Sequence, residues 1–118
     1  MLRDPLDFLR DIEESCIRII DYSAGLGRDE VFADTMRLDG ILHNFHVIGE
    51  AVKKLPNDLR EGHSDIPWAE IAGMRDFIAH AYFSLDLAIL WQGIQQDVPV
   101  LLERVQHMIA SLREEHSS

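Results

Sequence analysis

Apolar residues recur at three- and four-residue steps along nearly the whole chain, and no stretch alternates apolar and polar residues as a half-buried strand does. Leu6, Leu9, Ile12, Cys16, Ile19 and Ile20 set the pattern, and Leu38, Ile41, Leu42, Phe45, Ile48, Val52 and Leu55 repeat it. Segments patterned this way each carry one apolar stripe, which is buried only when helices pack on one another. At 118 residues the chain has room for a single domain, 1–118. The expected fold is an all-α, up-and-down bundle of four to five helices joined by short loops.

Local signals punctuate the pattern. Asp4 is an N-cap candidate, Pro5 suits the first helical position, and Asp7 favours the positive helix start. Gly25 and Gly27 stop that first helix. Arg28 to Ala33 has the length of a short helical turn. A long helix is expected from about Thr35 to Leu55, ended by Pro56, with Gly40 and Gly49 inside it. Each glycine costs about 1 kcal/mol against alanine, so close helix–helix approach is the expected return. Asn57 to Ile66 reads as a polar connection. Pro67 opens a third helix to about Tyr82, with Trp68, Ile71, Met74, Ile78 and Ala81 on one side. Ser84 is an N-cap candidate for a fourth through Leu87, Leu90, Trp91 and Ile94. Pro99 must kink or restart it before a final stretch containing Val105, Met108 and Leu112.

Charge and composition narrow the function. Lys and Arg number 11 against 21 Asp and Glu, a net charge of −10. That argues against a protein that coats DNA or binds membranes through a polybasic surface. Cys16 is the only cysteine, so no intrachain disulfide and no thiolate zinc site can form, and its place on the apolar stripe marks it as core. The first residues lack the apolar run of a signal peptide, and no segment is long and apolar enough to span a bilayer. A soluble chain in a reducing, cytoplasmic setting is expected. The small size makes dimerisation a natural way to bury more apolar surface.

The stretch Met74-Arg75-Asp76-Phe77-Ile78-Ala79-His80-Ala81-Tyr82 carries the most chemistry, and Arg75 is the only Lys or Arg between Glu61 and Leu90. On a helix, Arg75 and His80 stand about 140° apart around the axis and ~7.5 Å apart along it. A long arginine side chain can still converge with the imidazole near a helix end. Asp76 lies four residues before His80, where it can accept a hydrogen bond from the ring. Histidine can take a proton from a ribose 2′-OH or give one to a leaving 5′-oxygen, and arginine can hold a phosphate through two hydrogen bonds. The same residues also suit an Arg75–Asp76 surface ion pair with His80 and Tyr82 in the core.

This stretch resembles a known family. Arg75 to Tyr82 match R-x-x-x-x-H-x-Y, the signature of HepT-like toxins in the HEPN superfamily of ribonucleases. Ile48-Gly49-Glu50-Ala51 is similar to the family's I-G-E-A. Ile66-Pro67-Trp68 followed by Ile71-Ala72-Gly73-Met74-Arg75 is similar to its P-W-x-x-I-x-G-M-R lead-in. Leu90-Trp91 and Asp97-Val98-Pro99-Val100-Leu101 resemble its downstream helix. The resemblance implies an α-helical homodimer whose two motifs face one another across a cleft, forming a metal-independent ribonuclease site without a cofactor. It implies that Arg75 and His80 are the catalytic pair. It implies that Tyr82 receives AMP from a partner antitoxin, a minimal nucleotidyltransferase of the MntA type, and that the added phosphates repel RNA. Many HEPN proteins carry Asn directly after the arginine; this chain has Asp76, which reduces phosphate attraction while offering His80 an orienting partner. For such a cleft to be locally positive, Arg37, Lys53, Lys54 or Arg60 would have to contribute.

A second constellation lies on the long helix. Asp39, His43, His46 and Glu50 share one face at i, i+4, i+7 and i+11, a spacing that suits metal ligation when a second helix completes the set and otherwise makes a polar face. Glu50 is read as the partner of an N–H or an arginine inside the bundle, Arg75 among the options. Trp68 and Trp91 read as core or interface anchors. Three functions therefore stand at this point: a ribonuclease toxin cutting RNA at the motif, an inactive helical module that docks a nucleotidyltransferase, and, behind both, a metal-binding bundle using the Asp39–Glu50 face.

Overall fold

The computed structural model describes residues 4–73 and 87–117; Arg75, Asp76, His80, Tyr82 and the Ser84 cap lie outside the described residues. Helix α1 spans Pro5–Ser23 and opens as its sequence dictates: Asp4 Oδ1 accepts the Leu6 N–H at 2.8 Å, with Pro5 at the first position. Its stripe of Leu9, Ile12, Cys16 and Ile19 is wholly buried. The Ser23 hydroxyl donates back to the Ile19 carbonyl at 2.9 Å, and Gly25, at φ +73°, takes the left-handed conformation that turns the chain.

Helix α2 is the short Arg28–Ala33, held at its start by the Gly27 N–H donating to Glu30 Oε1 at 3.2 Å. Asp34 then closes α2 and caps α3 (Thr35–Lys54), its Oδ1 accepting the Arg37 N–H at 3.1 Å. Ile41, Phe45, Ile48 and Val52 form the buried face of α3. Gly40 meets the expectation of close approach: a Cβ there would sit 3.0 Å from the Tyr22 ring. After Leu55 and Pro56, α4 (Asn57–Glu61) is one short turn of helix inside the connection, with Leu59 half-buried against the core. Ile66 and Trp68 bury themselves at the start of α5, described over 68–73.

The last part of the chain shows what form the kink or restart expected at Pro99 takes. Helix α6 (Leu87–Gln92) runs through a π-helical turn, Gly93–Asp97, directly into α7 (Val98–Ser117). Pro99 has no N–H to give, and its ring would meet the carbonyl four residues back. The wider turn absorbs both problems, with the Val98 N–H bonding to the Gly93 carbonyl five residues earlier. Proline is thus accommodated without ending the helix.

All described elements are helical, so the all-α bundle is the fold. Helix α1 is its hub, packed along α3 on one side and α7 on the other, with the π turn also against it and α2 closing over α3. The core joins Leu9, Ile12, Cys16 and Ile19 to the buried faces of α3 and α7, including Val98, Val105 and Met108. Cys16 is fully buried, and burial, helped by the Glu13 carboxylate, pushes its thiol from 9.0 up to about 12. It is core.

Candidate functional site

Described residues from both sides of the stretch 74–86 line one groove. Its floor is apolar, from Phe45 and Ile48 on α3, Ile66 just before α5 and Ile71 on it, and Val98 and Leu101 at the start of α7. Gly73, which immediately precedes Met74, lines it, as does Ile89 in the first turn of α6. Its volume is about 860 Å³, the size of a site for a small organic molecule or a docked side-chain cluster. Ile89 and Val100 contribute apolar surface that is 48% and 60% exposed.

The groove is bordered by charge. Asp65, Glu70 and Asp97 bring carboxylates to it, and Arg104 brings a guanidinium. Arg104 is ion-paired with Asp65, which ties α7 to the turn before α5. That pair joins positions far apart in sequence, so no local pattern signals either residue. The four cations named from the sequence are elsewhere. Arg37 donates to the Tyr22 carbonyl and pairs with Asp34 at 3.4 Å, closing the end of α1. Arg60 bonds Asn57 within α4. Lys53 and Lys54 end α3, where they favour the negative end of the helix.

Glu50 is half-buried on α3 and has a polar partner. It stands about 160° around α3 from Ile48 and is not among the described residues lining the groove. His43 and His46 are exposed on α3, and Asp39 is exposed but partnered. Among the described residues no three His, Cys, Asp or Glu side chains gather closely enough to hold a metal ion.

The two tryptophans act as anchors. Trp68 is buried at the start of α5, its indole N–H donating to the carbonyls of His63 at 3.1 Å and Arg60 at 3.2 Å. This double acceptance fixes the first turn of the helix whose sequence leads into Met74-Arg75. Trp91, half-buried on α6, meets Phe32 of α2 edge to face, with ring centroids 6.0 Å apart at 80°. Among the described residues no helix is long and apolar enough to cross a membrane.

Comparison with known proteins gives a consistent result. Residues 12–108 match the family described as Ribonuclease HepT-like. A candidate RNase of Caldanaerobacter subterraneus subsp. tengcongensis is 34% identical over 108 residues, covering 92% of this chain and 96% of that protein. A protein of Thermococcus cleftensis named "Probable ribonuclease HepT" is 36% identical over 101 residues, covering 86% of this chain and 92% of its own. A candidate RNase of Methanocaldococcus jannaschii is 34% identical over 112 residues, covering 95% and 97%. No solved structure gives a significant match.

Proposed function

The chain belongs to the HepT-like ribonuclease family, and from that premise we propose that it is the toxin of a toxin–antitoxin pair, an endoribonuclease that cuts RNA without a metal ion. One observation carries the reading: the family match over 12–108 spans the whole R-x-x-x-x-H-x-Y string from Arg75 to Tyr82. The protein acts in the cytoplasm as a single-domain chain, paired as a homodimer with the two motifs across one cleft.

The chemistry follows from the residue types. A histidine acting as base takes the proton of a ribose 2′-OH, and the freed oxygen attacks the adjacent phosphorus. The P–O5′ bond breaks, and the leaving 5′-oxygen takes up a proton from a histidine acting as acid. The products are a 2′,3′-cyclic phosphate and a 5′-hydroxyl. His80 holds the proton-transfer role. Arg75 binds the phosphate and balances the charge that builds on its oxygens. Asp76 orients His80, and Glu50 is the partner of an N–H or an arginine inside the bundle, Arg75 among the options. The antitoxin, an MntA-like minimal nucleotidyltransferase, moves AMP from ATP to the Tyr82 hydroxyl, and the new phosphate keeps RNA out by charge and bulk.

A second reading has an observation in its favour. The groove lined by Gly73 and Ile89 is bordered by Asp65, Glu70 and Asp97, and its described cation, Arg104, is paired with Asp65. With a chain charge of −10, that suits a protein partner better than a polyanion. On this reading the chain is an inactive module that docks the nucleotidyltransferase.

Cleavage of a mixed RNA pool in EDTA by the purified chain, beside His80→Ala, separates the two. Mass spectrometry first establishes that Tyr82 carries no AMP. Cutting by the unsubstituted chain that is lost in the variant supports the ribonuclease. No cutting by either protein supports the docking module. Cutting by both places the chemistry away from His80.

A further inference from the structure

We draw no further inference here: the strongest candidate, the apolar groove between α3, α5 and the start of α7, has the undescribed residues 74–86 running between its lining residues Gly73 and Ile89, so nothing in the structure shows what covers it.

Discussion

The indole N–H of Trp68 lies 3.1 Å from the carbonyl oxygen of His63, and the Arg60 carbonyl, at 3.2 Å, shares the same donor. The bond reaches backwards over the turn that separates α4 from α5. With the backbone bonds from Ile66 N–H to His63 and from Trp68 N–H to Ile66, it ties down the start of α5, and Ile66, buried beside it, adds an apolar contact.

Trp68→Phe keeps an aromatic ring in the pocket and removes the donor. Both carbonyls keep a backbone donor, the Ile66 N–H on His63 and the His63 N–H on Arg60, so what is lost is the shared indole donor, at a cost of about 1 kcal/mol, seen as a fall of ~4 °C in Tm. Trp68→Ala also leaves a cavity and is expected to cost about 3–5 kcal/mol. Thermal melts followed by circular dichroism compare the three proteins. Equal losses in both variants would show that the hydrogen bonds, not the ring, hold the turn.

Helix α3 passes close to the Tyr22 ring at Gly40, where a Cβ would sit 3.0 Å from it. Alanine is worth about 1 kcal/mol over glycine in a helix interior. That gain is expected to appear when the ring is absent and to be offset when it is present. Gly40→Ala should therefore stabilise the Tyr22→Ala background more than it stabilises the native chain. Denaturant melts of the double-mutant cycle measure the difference. An equal effect in both backgrounds would remove the steric reading.

The Cys16 thiol gives a pH signature. Its pKa is 9.0 in an unfolded chain and about 12 when buried in the fold, with Glu13 adding to the effect of burial. Below pH 9 both states hold the proton, so the group adds no pH dependence. Above it the unfolded chain releases the proton while the folded chain keeps it, and stability falls as pH rises towards 12. Urea melts between pH 8 and 10.5 should show a steeper decline in the native chain than in Cys16→Ala. In the folded protein at pH 8 a maleimide should label Cys16 only as fast as the chain opens. Immediate labelling would contradict the burial.

Tyr82→Phe separates catalysis from control in the proposed function. The phenol is proposed as the acceptor of AMP and the imidazole of His80 as the proton carrier. The variant should cut RNA at close to the native rate and stay active when incubated with the nucleotidyltransferase and ATP, whereas the native chain should lose activity and gain the mass of AMP. A variant that is still silenced with ATP would move the modification to another residue.

Much of the bundle was legible because its determinants are local. Asp4 and Pro5 open α1, Gly25 turns the chain out of it, Pro56 follows α3, and the stripe through Leu9, Ile12, Cys16 and Ile19 is the buried one. Each depends on backbone geometry within about four residues, which the order of side chains specifies directly. The family resemblance was legible for a related reason: its motifs are strings at set spacing.

Other features depend on residues far apart, and no local pattern announces them. Pro99 signalled a kink or a restart, but not which; packing of the π turn on α1 keeps 87–117 in one helical run, because a single wider turn costs less than giving up the buried faces of Leu90, Ile94 and Val98. The ion pair of Asp65 with Arg104, the Tyr22 ring against Gly40 and the commitment of Arg37 to the end of α1 arise the same way. The helical period tells each segment which face to bury. Which helix becomes the hub, and which charges meet at the groove, follows from how those faces share one core, and that is settled in three dimensions.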